Sequence, residues 1–363
     1  MEKVIFVSDY PNFHQLGLWD EFVKNDVDFI FLATDHISEE RKKMHYEELT
    51  RPYIKQSSDY SFDQLKEMLT SANSVILGHI SDKRIYKACK KVKRIYFNNE
   101  HFLKKWKPTN FLVYLKRIYL LHFYFRKAEK FALCNSYYAG KEYRRFLLKK
   151  DHIFNFGYFP ALEIKERTSI NFNAIFSGRC LDWKRPDLAI DGMNALIKLT
   201  NNKNIFVGEG PYLEESHKHA KNIGCEDKIE WHNFLSHDDL LKQMEDNSIY
   251  LFTSNHQEGW GVVLNEALSR GNIVIANRKA GSTKTLIKDG VNGFIFNGTK
   301  RDLLRVITLV TKLENDKLLN ISKEANKTIS DLYNNKIAAS RLFNLLSTGK
   351  TYESGPVSIW NAK

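Results

Sequence analysis

Residues 249–271 read IYLFTSNHQEGWGVVLNEALSRG, and this stretch decides the fold. Its first four residues form a short apolar run of strand character, and polar loop residues follow. Gly259 and Gly261 let backbone pass close to a ligand, while Val262, Val263, Leu264, Ala267 and Leu268 repeat with the spacing of a helix packed on a sheet. Arg270-Gly271 closes that helix. A buried strand that feeds a polar loop and then an amphipathic helix is the repeating unit of an α/β fold. The loop carries Glu258 and the helix carries Glu266, with seven residues between them. Free N–H groups and the positive dipole end at the helix start suit a diphosphate. Glu266 can reach vicinal hydroxyls such as those of a ribose, and Glu258 those of a second sugar. An ordinary buried turn with two surface glutamates has the same spacing, so the weight rests on what accompanies it.

Working outward, short apolar runs recur at 4–7, 29–32, 75–77, 95–97 and 131–134, separated by segments of helical spacing. After the polar stretch 163–171 the pattern restarts at 174–176, 205–207, 229–231, 249–252, 273–276 and 294–296. Alternating strands and helices predict parallel, doubly wound sheets, in two similar α/β domains facing a central cleft. At 363 residues the chain is too long for one ordinary core. The expected limits are 1–165 for the first domain and 166–334 for the second. Helical spacing continues over 303–346, so 335–363 is a helix and tail that can return to the first domain. Ligands of such sheets sit beyond the carboxyl ends of the strands.

Neither half carries GxGxxG, a P-loop, GxSxG or HExxH, which disfavours hydride transfer, P-loop hydrolysis and metalloprotease chemistry. Cys89, Cys134, Cys180 and Cys225 are widely separated, with no CxxC pair, so neither a zinc site nor a disulfide framework is expected. No stretch approaches the length of a transmembrane helix and no signal peptide opens the sequence. A cytoplasmic protein is the expectation.

The net charge of +12 is local. Residues 83–150 hold 20 Lys and Arg against Glu100, Glu129 and Glu142, a balance of +17 that leaves −5 for the rest. Within them, 102–131 (FLKKWKPTNFLVYLKRIYLLHFYFRKAEKF) interleaves aromatics with cations, which suits an anionic membrane surface. A core helix with a solvated basic face would give a similar pattern. Nucleic acid is disfavoured, because no RNA- or DNA-binding motif accompanies the patch.

The second half adds further elements. The first strand of that half ends in Ser177-Gly178-Arg179, with Lys184 five residues on, just before Arg185-Pro186 opens a helix. An Arg fork and a Lys point charge on one strand-end loop suit a diphosphate whose charge grows as a glycosidic bond breaks. Val207-Gly208-Glu209-Gly210-Pro211 is a strand running into a glycine turn, and Asp289-Gly290-Val291-Asn292-Gly293 leads into the last strand.

With these residues in place, positions 174–296 resemble the donor domain of retaining GT-B glycosyltransferases of family four, the glycogen-synthase-like group. Asp182-Trp183-Lys184-Arg185-Pro186-Asp187 is similar to enzymes of capsule, O-antigen and exopolysaccharide synthesis. The resemblance implies GT-B architecture, two Rossmann-like domains with the acceptor bound by the first and the donor by the second. It also implies that Arg179 and Lys184 hold the donor diphosphate and stabilise the leaving group, and that Glu258 binds the transferred sugar. Glu266 would bind the ribose, and Gly259, Trp260, Gly261 and Val262 the sugar and phosphates. Gly178, Gly208 and Gly210 would line the donor. Two departures from the family are Ala280-Gly281, in place of Gly-Gly, and Thr285, where a Glu often stands. On the acceptor side the glycine-rich first loop is replaced by residues 9–17, and His14, Gly17, Glu100 and His101 are the candidates there.

The implied activity is retaining transfer of a hexose-type sugar from a nucleotide diphosphate sugar, UDP first and GDP next. The acceptor would be a glycan, polyprenyl-diphosphate-linked, at the inner face of the cell membrane. No cofactor is expected beyond the co-substrate, and no metal. Asp26-Val27-Asp28 spells the DxD of metal-dependent transferases, but it precedes the strand at 29–32, far in sequence from the donor motifs, and reads as a solvated turn. A sugar-nucleotide epimerase of the same fold, or a non-catalytic basic protein binding membrane or nucleic acid, are the competing functions.

Overall fold

The structure, a computed structural model, describes residues 2–37, 48–105 and 110–361. The chain divides into two compact units, Met1–Ala161 together with Asn334–Lys363, and Leu162–Tyr333.

In the first unit seven strands form one sheet: β1 (Lys3–Ser8), β2 (Asp28–Ala33), β3 (Ile54–Gln56), β4 (Ser74–Leu77), β5 (Arg94–Asn99), β6 (Glu129–Cys134) and β7 (Ile153–Asn155). Their order is β3-β2-β1-β4-β5-β6-β7, and every pairing is parallel. A parallel sheet is covered on both faces, which is why its central strands are unbroken apolar runs rather than alternating ones. Val4, Ile5, Val75, Ile76 and Ile95 are all fully buried. Five of the seven strands contain the apolar runs of the sequence. The other two, β3 (IKQ) and β7 (IFN), are three-residue edge strands too short and too polar to register.

The segment read as a tail is fastened to this unit. Val357 N–H donates to Asn155 O at 2.7 Å, Asn155 N–H to Ser358 O at 2.8 Å and Trp360 N–H to Ile153 O at 2.8 Å, so the segment covers the edge of β7. The Trp360 indole lies on Gly140, where a Cβ would sit 2.4 Å from the ring, and its Nε1 donates to Tyr137 O at 3.1 Å. The helix Asn335–Thr348 packs against the helix Phe13–Val23. The long helical run expected over 303–346 is three helices, Lys300–Val310, Asn315–Ser330 and Asn335–Thr348, with breaks at 311–314 and 331–334.

The second unit is a six-stranded parallel sheet: β8 (Ala174–Ser177), β9 (Asn204–Val207), β10 (Ile229–His232), β11 (Ile249–Phe252), β12 (Ile273–Asn277) and β13 (Phe294–Phe296). The order is β10-β9-β8-β11-β12-β13. All six lie on runs the sequence marks. The polar stretch at 163–171 is bound rather than loose. The Arg167 guanidinium, half-buried, donates to Glu245 O at 2.8 Å and Asn247 O at 3.1 Å, at the end of the helix His237–Asp246, and to Gly271 O at 3.1 Å, just past the helix Val263–Ser269. Burial pushes that guanidinium down to about 10.

In each sheet the strand order reverses once, at β1/β4 and at β8/β11. The loops after those strands are where a doubly wound sheet receives a ligand.

Candidate functional site

In the C-terminal unit the loops after β8 and β11 are stitched together. Thr253 Oγ1 donates to Lys184 O at 2.7 Å and Asn255 N–H to Trp183 O at 2.7 Å. At the base of the loops, Ser177 Oγ and Tyr250 Oη lie 2.9 Å apart. These bonds hold the turn Asp182–Lys184 against β11 and bring Lys184 Nζ into an ion pair with Glu258 Oε2. Both side chains are mostly buried, 15% and 12% exposed, so the pair is shielded from bulk water and stronger than a surface bridge. Ser254 Oγ donates to the same carboxylate oxygen at 3.0 Å. Arg185 adopts a left-handed conformation (φ 55°) at the start of the helix Pro186–Thr200, a strained choice for Arg that turns the chain from Lys184 into the helix. Its guanidinium is held on Asp187 at 2.6–2.8 Å. Arg179 is exposed on the same loop.

The glycines of the sequence motifs allow close backbone approach. A Cβ at Gly208 would stand 2.2 Å from the Gly178 carbonyl oxygen, so β9 can run into its turn beside β8 only without a side chain there. Gly210 packs on the Cys180 backbone, and Cys180 N–H donates to Glu209 O at 2.8 Å. Lys184's stem passes 3.7 Å from the position a Gly178 Cβ would take. Gly261 has φ +76°, with the Phe252 ring and the Glu258 carboxyl beside it. Gly259 and Trp260 are buried, and Trp260 Nε1 donates to Asn265 Oδ1 at 2.8 Å. Trp260 is therefore a wedge inside the unit, while Gly261 and Val262 are half-exposed. Gly281 N–H, from the Ala280-Gly281 departure, donates to Glu258 O at 3.1 Å.

Glu266 lies in the first turn of the seven-residue helix Val263–Ser269 and is 3% exposed. His237 Nε2 sits 3.2 Å from its Oε1. That hydrogen bond raises the His237 pKa above its ordinary value, against the opposing effect of burial. The motifs gave no hint of His237. It follows Ser236 at the helix start after β10, a loop on the same end of the sheet, and that position is the signal that could have found it. Cys180 is no nucleophile: burial pushes its thiol up to about 11.

In the N-terminal unit Glu100 and His101 follow β5. Glu100 pairs with Lys104 at 2.7 Å and accepts from Tyr158 Oη at 3.3 Å. His14 faces the Tyr158 ring at 6.1 Å between centroids, which brings His14, Tyr158 and Glu100 together. His101 is buried, 3.5 Å from Ser136 Oγ. Buried Glu142 accepts from Phe102 N–H at 2.7 Å and Leu103 N–H at 2.9 Å, fixing the loop that carries both candidates. Gly17 is enclosed by backbone: a Cβ there would be 2.6 Å from Ala161 N, and its carbonyl accepts from Asn335 Nδ2 at 3.1 Å. Asp26 and Asp28 are exposed at the turn into β2. Among the described residues no group of three or more His, Cys, Asp or Glu could hold a metal ion.

The basic aromatic segment forms the helix Asn110–Ile118 and a π-helical turn, Tyr119–Tyr124. Phe111 (65%), Leu112 (64%), Leu115, Tyr119 and Phe123 (65%) are exposed, beside exposed Lys116, Arg126 and Lys127. Residues 106–109 of the segment lie outside the described residues. No helix among the described residues is long and apolar enough to cross a membrane.

Residues 163–328 match the family of glycosyl transferases group 1, so the C-terminal unit is a domain of that kind. Among solved structures, Anabaena HepE in complex with UDP and glucose is similar with a TM-score of 0.67 at 16% identity, covering 96% of this chain and 100% of its own. The lipopolysaccharide outer core galactosyltransferase WaaB, in its apo form, is similar with a TM-score of 0.66 at 16% identity over 96% and 100% of the two chains. A point mutant of S. aureus TarM, in complex with fondaparinux, alpha-GlcNAc-glycerol and UDP, gives 0.65 at 13% identity over the same shares. The fold is thus that of the GT-B glycosyltransferases, two parallel-sheet α/β domains of seven and six strands. No curated protein sequence matches the chain.

Proposed function

We propose that the protein is a retaining glycosyltransferase that moves a hexose-type sugar from a nucleotide diphosphate sugar, UDP-linked before GDP-linked, to a glycan acceptor. The observation that carries this reading is the Lys184–Glu258 pair, held across the two switch-point loops of a glycosyl transferases group 1 domain. A donor diphosphate takes Lys184 and Arg179 as its cations, which frees Glu258 for hydroxyls of the transferred sugar and leaves Glu266 for the ribose. Positive charge at the diphosphate stabilises the leaving group as the glycosidic bond breaks through an oxocarbenium-like state. The acceptor attacks on the vacated face and its proton passes to a β-phosphate oxygen, so retention follows without a dedicated side-chain base. UDP bound to HepE and to TarM supports the choice of nucleotide.

The acceptor in this proposal is lipid-linked, polyprenyl diphosphate by chemistry, and the product belongs to a surface polysaccharide. The protein works from the cytoplasmic side, docked by Phe111, Leu112, Leu115, Tyr119 and Phe123 with Lys116, Arg126 and Lys127 against anionic headgroups. Salt-sensitive sedimentation with phosphatidylglycerol vesicles, lost on combining Phe111→Ser, Leu112→Ser and Phe123→Ser, is expected. Equal activity on a soluble acceptor without vesicles would sink that part.

The primary test is a thermal-shift and product-release screen against UDP-, GDP-, ADP- and dTDP-sugars. Stabilisation and slow diphosphate release with one donor, lost in Glu258→Ala, Arg179→Ala and Lys184→Ala, is the expected result. Silence with all four would overturn the assignment.

A further inference from the structure

We propose that His237 is the positioning residue of the ribose subsite: its Nε2–H holds one carboxylate oxygen of Glu266 and leaves the other to accept from the ribose hydroxyls. The inference rests on the reading of Glu266 as the ribose ligand and adds a residue that no motif contains.

Three observations lead to it. Glu266 is nearly completely buried, and a buried carboxylate needs a hydrogen-bond donor to satisfy it and hold it in one orientation. His237 Nε2 stands at 3.2 Å, reaching Oε1 from the first turn of a different helix. The other candidates nearby are engaged elsewhere. Arg270 lies 2.9 Å from Glu245 Oε1 and also bonds Glu163 O, and Tyr250 Oη is on Ser177. Since the imidazole is itself partly exposed, it also carries solution pH to a carboxylate that solvent hardly reaches.

The charged form of His237 makes the stronger bond. Glu266 from the facing helix and Asp238 on its own helix favour that form, whereas burial and Arg270 oppose it, and the net direction is upward. Ribose recognition is therefore strongest while the ring is protonated and weakens as pH rises through its pKa.

The test uses the full-length protein and two probes with the same phosphates, UDP and 2′,3′-dideoxy-UDP. Their affinity ratio measures ribose recognition and cancels the titration of the phosphates. Wild type is expected to prefer UDP by roughly tenfold or more, the factor one hydrogen bond of ordinary strength carries. His237→Ala should reduce the ratio several-fold and His237→Gln, which retains an N–H donor at the same reach, should restore it without its pH dependence. An unchanged ratio in His237→Ala, while Glu266→Ala abolishes it, overturns the positioning role and leaves the donor site standing. Absence of UDP binding in wild type, with GDP, ADP and dTDP equally silent, overturns the donor reading itself. NMR titration of His237 separates the two without nucleotide: Glu266→Gln must lower its pKa, and no change would break the coupling.

Discussion

Beyond β8 and β11 of the C-terminal unit, the loops are joined by charge, Lys184 to Glu258 and, nearby, His237 to Glu266. In the N-terminal unit the loops after β1 and β4 approach through His79 and Asp9, at 3.6 Å, and away from that switch point, at the ends of β5 and β6, the joint is an amide pair: Asn98 Nδ2 donates to Asn135 Oδ1 at 3.0 Å and Asn135 Nδ2 returns the bond at 3.1 Å. Both sheets are parallel and reverse their order once, and the charged joint lies at the reversal while the amide pair lies beside it. A charged pair can exchange one partner for a ligand of like charge and leave the other free to bind. A neutral amide pair is already satisfied, gains little by opening, and so makes a frame rather than a receptor. Next to this frame in the N-terminal unit stand His14, Tyr158 and Glu100, whose polar and aromatic atoms are within reach of one another.

The largest effect that could break this contrast is on turnover. Glu258→Ala or Lys184→Ala should lower transfer by roughly 10²–10³-fold, the scale of a lost electrostatic contact to the reacting group. The double variant should fall far short of the product of the two, because each removes the other's partner. Multiplying effects in steady-state kinetics would mean the two residues act independently. Next in size is Trp360→Ala, which empties a buried indole site of the N-terminal unit and should cost about 3 kcal/mol of that unit's stability. Differential calorimetry should show one early transition, with nucleotide binding by the remaining unit intact; a single shifted transition for the whole chain would tie the two units together. Asn98→Ala strands the Asn135 amide and should cost about 1–3 kcal/mol with no change in nucleotide affinity. A weaker nucleotide affinity would mean that the amide pair belongs to the receptor after all.

The smallest effect is one of pH on stability. His237 has a raised pKa in the folded state, so its bond to Glu266 contributes fully below the unfolded value of about 6.5. That contribution is lost as pH rises through the folded value. In denaturant titrations between pH 5.5 and 9, wild type should lose its advantage over His237→Gln toward the alkaline end. An advantage that grew with pH would reverse the sign and place a neutral ring against Glu266.

The strands of both sheets were legible because a parallel sheet buried on both faces needs unbroken apolar runs, and β1 or β12 can be written in few other ways. Two short strands were not: β3 is an edge strand of three residues that carries Lys55 and Gln56, and β7 is held between β6 and a segment about 200 residues later in the chain. The motif residues Glu258, Lys184 and Glu266 stood out by spacing around glycines, a local property. His237, Tyr158, Asn98 and Asn135 did not, because each acts through a partner 29 to 58 residues away along the chain, brought near only by the pairing of strands. The same holds for Trp360, whose contact with Gly140 joins the end of the described chain to the helix after β6.

The chain enters the C-terminal unit at Leu162 and leaves it at Tyr333, then supplies the N-terminal unit with the helix Asn335–Thr348 and the strap ending at Trp360. Order of synthesis therefore matters. A ribosome must make the whole C-terminal unit before it delivers the last pieces of the unit it began with. At the usual pace of translation the first unit waits on the order of ten seconds or more with the β7 edge and the Gly140 surface uncovered, a period in which a chaperone can occupy them. The second unit, contiguous in sequence, is complete as soon as it emerges.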